Sequence, residues 1–99
     1  MKEQIVQIME KHIGKDNAIT VQEIADLIGH HDSGLTNPSI RSKITECIID
    51  DGIPIGSCSN GYFIIENETE LNEYMINLQS RINGMQQRLN AIDTAFQNI

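Results

Sequence analysis

The feature that most constrains this chain is a run of apolar residues in its last third, spaced alternately four and three positions apart. The run is Leu71, Met75, Leu78, Ile82, Met85, Leu89, Ile92, Phe96 and Ile99. This spacing is the heptad repeat of a coiled coil, and it continues through four repeats. A helix of roughly 27 residues at about 1.5 Å per residue extends about 40 Å, farther than so small a domain can cover. We therefore predict a C-terminal dimerisation helix over residues 68–99, whose apolar seam pairs with a second copy of the chain.

The residues beside the seam bear on how two copies would pair. Arg81, Arg88 and Asp93 flank the apolar positions, together with Gln79 and Gln86. In a parallel pair, Arg88 would reach Asp93 of the second copy. An antiparallel pair is also open at this point, and so is a helix that packs along its own N-terminal domain.

The sequence of residues 1–67 predicts a separate domain that begins with two amphipathic helices. Apolar residues recur at helical spacing over residues 2–13, after which a glycine supplies the stop. Thr20 and Glu23 have capping-box spacing ahead of a second helix over residues 21–28. An extended link is expected between these two helices.

A third helix is predicted after a polar, glycine-bearing loop. Asn37 places a capping side chain directly before Pro38, which suits the first helical position, and the helix should end near residue 50. Its expected buried stripe consists of Ile40, Ile44, Cys47 and Ile48.

The stretch IPIGSCSNGYFI, residues 53–64, predicts a β-hairpin. Asn60 and Gly61 are the preferred pair for a two-residue primed turn, which needs positive φ at both residues. Successive residues of the second strand are expected on opposite faces, with Tyr62 and Ile64 on one face and Phe63 and Ile65 on the other. We call this hairpin the wing, and its tip is Ser59, Asn60 and Gly61. A lone hairpin is marginal in water, so it must pack on the helices. The predicted fold class is therefore mainly α with a small β-hairpin wing: a winged helix-turn-helix domain followed by a long coiled-coil helix.

The run SIRSKITECIIDDGIPIGSCSNGYFIIEN resembles the recognition helix and wing of small winged-helix regulators, typified by the DNA-binding domain of the biotin operon repressor. With the later ELNEYMINLQSR, it is similar to short winged-helix proteins often encoded by phages and prophages. The resemblance covers roughly residues 20 to 90 and implies a DNA-binding helix over residues 37–50. The reading residues that it implies are Asn37, Ser39, Arg41, Ser42 and Lys43.

The charge of the chain limits how it could contact nucleic acid. Its formal net charge is −7, and residues 1–66 carry five basic against ten acidic side chains. Such a balance opposes non-specific attraction to phosphate, so any DNA contact must come from a local patch. Between Ser33 and Thr45 the only charged residues are Arg41 and Lys43, which form a small positive window on the third helix.

Other chemistry is not indicated by the sequence. Cys47 and Cys58 lack the spacing of a zinc or redox site and are interpreted as ordinary thiols. His30, His31 and Asp32 have no spaced third ligand, so we expect a solvated loop rather than a metal or acid–base site. We expect no enzyme activity and no cofactor. With no secretory leader and no apolar run of membrane-spanning length, we expect a cytoplasmic protein without a membrane partner.

Two hypotheses of different class follow. The first is a homodimeric regulator that inserts its third helix into the major groove of double-stranded DNA. The second is an acidic winged helix that binds a protein partner, for example as a phage-encoded inhibitor or adaptor, and does not bind DNA. Fold alone cannot decide between the two hypotheses.

Overall fold

The computed structural model describes residues 1–30 and 37–98, and in these ranges the chain forms four α-helices and one two-stranded hairpin. The elements are α1 (Lys2–Met9), a short 3₁₀ turn (Lys15–Asn17), α2 (Val21–Ile28), α3 (Pro38–Ile49), β1 (Ile55–Cys58), β2 (Gly61–Ile64) and α4 (Glu68–Gln97). The predicted fold class, a mainly helical chain with a small wing and a long C-terminal helix, is confirmed. The expected loop with His31 and Asp32 lies outside the described residues, as does Ile99.

The first helix is shorter than its apolar spacing predicts. It ends at Met9, because the residues that follow pair with the second strand of the wing instead of continuing the helix. The amide of Gly14 donates to the carbonyl of Ile64 at 2.8 Å, and the amide of Ile64 donates to the carbonyl of His12 at 2.8 Å. The prediction of a helix to residue 13 is therefore wrong, and the cause is a partner 50 residues away in the sequence, since 64 − 14 = 50.

The second helix agrees with its local sequence. Thr20 accepts a hydrogen bond from the amide of Glu23 at 3.0 Å, and the Glu23 carboxylate accepts one from the amide of Thr20 at 3.1 Å. The predicted capping box is confirmed. The link before it is also extended as predicted, since Ile19 pairs with Tyr62 of the wing.

The start of α3 differs from the prediction. Asn37 has a left-handed backbone with φ of 46°, and its side chain makes no capping hydrogen bond. That backbone turns the side chain into the domain, where it is 1% exposed and its amide donates to Gln22 of α2 at 3.3 Å. Capping by Asn37 is thus wrong, whereas Pro38 does occupy the first turn.

The packing face of α3 is predicted with one exception. Ile40, Ile44 and Cys47 are buried in a core that also contains Ile5 and Met9 of α1 and residues of α2. Ile48 is exposed, so the predicted stripe is one residue too long. The core fixes α3 with its polar side outward.

The wing forms as predicted, but its turn is displaced by one residue. Cys58 pairs with Gly61, so the two turn residues are Ser59 and Asn60. Among the described residues Asn37 is the only non-glycine with positive φ, so Asn60 cannot occupy a primed turn. Gly61, with φ of 122°, instead lies at the start of β2. The predicted primed Asn60-Gly61 turn is wrong because pairing of β2 with Ile19 and β1 sets the register.

Candidate nucleic-acid interface and apolar seam

Arg41 lies where the exposed face of α3 meets the wing. Its guanidinium Nη1 donates a hydrogen bond to the hydroxyl oxygen of Tyr62 on β2, at 3.2 Å. Ser42 is exposed beside it, and Thr45 is exposed one turn later. The Thr45 hydroxyl donates to the carbonyl of Arg41 at 3.1 Å. Two elements, a helix and a strand, therefore fix the position of one exposed cation.

The other predicted reading residues are less available at the surface. Ser39 and Lys43 are half-buried, and the Lys43 ammonium forms an ion pair with Glu46 at 3.0 Å. Asn37 is buried between α3 and α2, as described above. The structure thus brings Arg41 and Ser42 onto one exposed surface and places Asn37 in the interior.

Tyr62 is the site residue that sequence reasoning did not assign. It is 21 positions from Arg41, and the residues between them give no periodic signal that links the two. The alternation of β2 predicted only that Tyr62 lies on the opposite face of the wing from Phe63. Its hydroxyl is the polar group on that side that meets α3.

The wing tip offers little charge for binding an anion. Ser59 and Asn60 are exposed, and the tip residues include no lysine or arginine. The outer face of the wing is not free either, because Phe63 is 2% exposed and lines a cleft together with Tyr74 of α4. The cation that lines the same cleft, Lys15, is paired with Glu73 at 3.6 Å, so Arg41 of α3 is the candidate for a cationic contact.

The start of α4 is fixed to the domain by one carboxylate. Glu70 Oε2 accepts a hydrogen bond from the amide of Lys15 at 2.8 Å, and Oε1 accepts one from the amide of Glu66 at 2.9 Å. These bonds stabilise the ionised carboxylate, the Lys15 bond most, and hold the pKa of Glu70 below its ordinary value. The ammonium of Lys15 also lies 3.6 Å from Glu73. Asn67 caps the helix by accepting from the amide of Glu70 at 2.9 Å.

The rest of α4 extends away from the domain. Every residue from Met75 to Asn98 is exposed, and the helix has no buried residue. At about 1.5 Å per residue its 30 residues span about 45 Å. The alternative in which the helix packs along its own domain is therefore wrong beyond the first turns of α4.

The apolar seam and the domain contacts lie on different faces of α4. The residues that contact or line the cleft against the domain are Glu70, Glu73, Tyr74 and Asn77. The described seam residues are Leu71, Met75, Leu78, Ile82, Met85, Leu89, Ile92 and Phe96, and they are between 36% and 71% exposed. With Met75 at heptad position a and Leu78 at d, Glu70 and Asn77 are at c and Glu73 is at f, which point away from the seam, whereas Tyr74 is at g and flanks it. Docking of α4 on its own domain consequently leaves the seam open to another chain from its first turn.

The cysteine, histidine and acidic side chains of the described residues form no metal centre. Burial raises the pKa of the Cys47 thiol, which disfavours the reactive thiolate, and both cysteines are free thiols. In residues 1–30 and 37–98 no group of three or more His, Cys, Asp and Glu side chains is placed to bind a metal ion. No helix in the same ranges is both long enough and apolar enough to span a membrane.

Comparisons with protein-family models, with curated proteins and with solved structures found no match to this chain. The resemblance to winged-helix regulators therefore depends on the sequence motifs named above and on the order of helices and wing.

Proposed function

We propose that this chain is a homodimeric winged-helix DNA-binding protein of the transcription-regulator type, which reads the major groove with α3. The observation that carries the proposal is the exposed guanidinium of Arg41, held between α3 and the wing by Tyr62. An arginine fixed on the outer face of a helix can donate two hydrogen bonds to the edge of a guanine. The first turn of α3 contains no acidic residue, which suits the attraction of phosphate to a helix N-terminus.

Roles for the neighbouring residues follow from their exposure. Ser42 and Thr45 lie on the same exposed face as Arg41 and supply hydroxyl groups for base edges or phosphates. Lys43 reaches phosphate by exchanging its ion pair with Glu46. Asn37 supports the start of α3 from inside the domain. Because a second copy presents a second α3, the target is expected to contain two related half-sites.

Selection from a random duplex library at low salt tests the proposal directly. We expect enrichment of a sequence with two related half-sites, since the net charge of −7 suppresses non-specific binding. Arg41→Ala should weaken binding to the enriched duplex by about 1–3 kcal/mol and relax the preference at one base position.

The matched control is Lys11→Ala, which removes the same charge from an exposed position outside α3 and α4. If it weakens DNA binding as much as Arg41→Ala does, the effect is one of net charge and not of base recognition. A folded preparation that enriches no sequence would defeat the DNA-binding proposal. The acidic domain would then be interpreted as a protein-binding module.

A further inference from the structure

We infer that the seam of α4 binds the seam of a second copy of this chain in parallel, with Arg88 of each copy beside Asp93 of the other. The inference deepens the self-association in the proposed function by giving its orientation. It does not depend on whether α3 binds DNA.

An exposed helix of this composition needs a partner. From Met75 onward α4 buries no residue against its own domain, whereas most of the stability of a helix in a protein comes from packing of its apolar face. This segment instead contains a glycine, Gly84, and several asparagines. Both residue types lower helix propensity. Burial of the seam is the contribution that would compensate for this.

The flanking charges favour the same chain as the partner. In a parallel pair, each g position faces the e position of the following heptad on the other helix. Arg81 then faces Gln86 of the second copy, and Arg88 faces Asp93. By the two-fold symmetry of the pair, each contact occurs twice. Every flanking pair is thus neutral or attractive.

An antiparallel pair would place the same charges less favourably. In that arrangement g positions face g positions, so Arg81 of each copy lies near Arg88 of the other when the seams are aligned centre to centre. Asp93 then lies near Asn72 and has no cation to pair with. Like charges across the interface disfavour this arrangement.

The domains also leave room for a parallel pair. Each domain docks on α4 through Glu70 and Glu73, which lie away from the seam, and through Tyr74, which flanks it. Leu71 and Leu78 are on the open side of the same turns. Two domains can therefore sit at the same end of the coil, one on each outer side, which is where a two-fold reader of DNA needs them.

Charge reversal distinguishes the two orientations by the sign of its effect. Arg88→Glu places two carboxylates together in a parallel pair and should raise the dimer dissociation constant roughly tenfold at low salt. The combined variant Arg88→Glu/Asp93→Arg should restore the affinity. In an antiparallel pair Arg88→Glu would instead relieve the repulsion from Arg81 and strengthen the dimer. Sedimentation equilibrium on the full chain measures these changes.

Disulfide trapping gives a second, independent measurement. Ile92→Cys should crosslink to itself under a glutathione redox buffer, because position 92 faces position 92 in a parallel pair. In the antiparallel pair position 92 faces position 75, so two copies of position 92 are 17 residues apart (92 − 75), or about 25 Å at about 1.5 Å per residue. That is far beyond the roughly 7 Å limit between Cα atoms of a disulfide. Gln87→Cys, on the outer side of the helix, controls for collisional crosslinking.

The outcomes separate this inference from the proposed function. Weakening by Arg88→Glu together with self-crosslinking of Ile92→Cys supports the parallel pair. Strengthening by Arg88→Glu, with crosslinking only in Met75→Cys/Ile92→Cys, would overturn the parallel orientation and leave the dimer standing. A wild-type chain that remains monomeric at high micromolar concentration would overturn both the parallel orientation and the dimer itself. The DNA selection tests the role of α3 separately.

Discussion

Gly61 should be intolerant of any side chain, and the structure gives the reason. An added Cβ at this position would meet the carbonyl group of Ile19 and would lie 2.7 Å from the amide nitrogen of Thr20. These are backbone atoms, which cannot move aside as a flexible side chain can. Gly61 also has φ of 122°, a conformation that L-residues rarely adopt. Gly61→Ala must therefore displace the wing from the link before α2.

The cost can be estimated from the contacts that would be lost. Ile19 and Tyr62 exchange two backbone hydrogen bonds, at 2.8 Å and 2.7 Å, next to Gly61. Each is worth about 0.5–1.5 kcal/mol. Placing alanine in the left-handed region costs about 1–2 kcal/mol more. The sum, about 2–5 kcal/mol, is a large part of the 5–15 kcal/mol that is typical of a folded domain.

Thermal unfolding followed by circular dichroism measures the effect. A loss of about 2–5 kcal/mol should lower the melting temperature by roughly 8–40 °C in a domain of this size, at about 4–8 °C per kcal/mol. The matched control is Gly84→Ala, since nothing lies within 4 Å of a Cβ added to Gly84 in the exposed part of α4. Alanine favours a helix over glycine by about 1 kcal/mol, so the control should melt at the same temperature or higher. If Gly61→Ala melts within a few degrees of wild type, the wing does not pack against the backbone of Ile19 as closely as described.

Three further outcomes are expected. Ile82→Ala should weaken the proposed dimer roughly thirtyfold by sedimentation equilibrium, because a side chain 53% exposed in the monomer would lose about 1 kcal/mol of burial in each copy; an unchanged dissociation constant would show that Ile82 is not at an interface. Glu70 has a lowered pKa, so its stabilising contribution is complete above the ordinary value of 4.5 and is lost as pH falls through the lowered value. Glu70→Gln should consequently have a lower melting temperature than wild type at neutral pH, and its melting temperature should fall less on acidification. An equal pH dependence of the two melting temperatures would exclude a stabilising role for the ionised Glu70 carboxylate. Glu46→Gln releases Lys43 from its ion pair and should strengthen DNA binding with a steeper salt dependence, and no change in slope would show that Lys43 does not reach phosphate.

The elements predicted correctly are those whose cause is local. The capping box of α2 lies within four consecutive residues, Thr20 to Glu23, so its hydrogen bonds follow from the spacing alone. The apolar period of α4 is equally local, and the helix begins at Glu68, where the predicted C-terminal helix starts. In both cases no distant residue competes for the same backbone groups.

The incorrect predictions each involve a distant partner. Helical spacing continues to Ile13, but the strand at Ile64 takes the backbone of residues 12–14 into a bridge. The capping preference of Asn37 is overridden because Gln22 accepts its amide inside the domain. The tip of the wing is shifted because Ile19 pairs with Tyr62 and fixes where β2 starts. Local propensity is a weak term beside such pairings.

The candidate site was predicted in part for the same reason. Periodicity shows that Arg41 and Ser42 lie on the outer face of α3, and it separates the seam of α4 from the other faces. It cannot show that Tyr62 meets Arg41, since that contact needs the wing to fold back on the helix. Nor can it show which amides the Glu70 carboxylate binds, because one of them belongs to Lys15, 55 positions earlier.

Glu70 connects the two candidate surfaces physically. Its carboxylate bonds fix the first turns of α4 to the domain that carries Arg41, and only residues 65–67 separate α4 from the wing. Because α4 is one continuous helix, the direction of the seam is then set relative to α3. In the proposed parallel pair, the positions of the two reading helices are therefore determined by the docking of α4 and not by a flexible linker. The spacing of the two half-sites would follow from that docking. Glu70, which lies outside both surfaces, would therefore help to set the distance between the two reading helices.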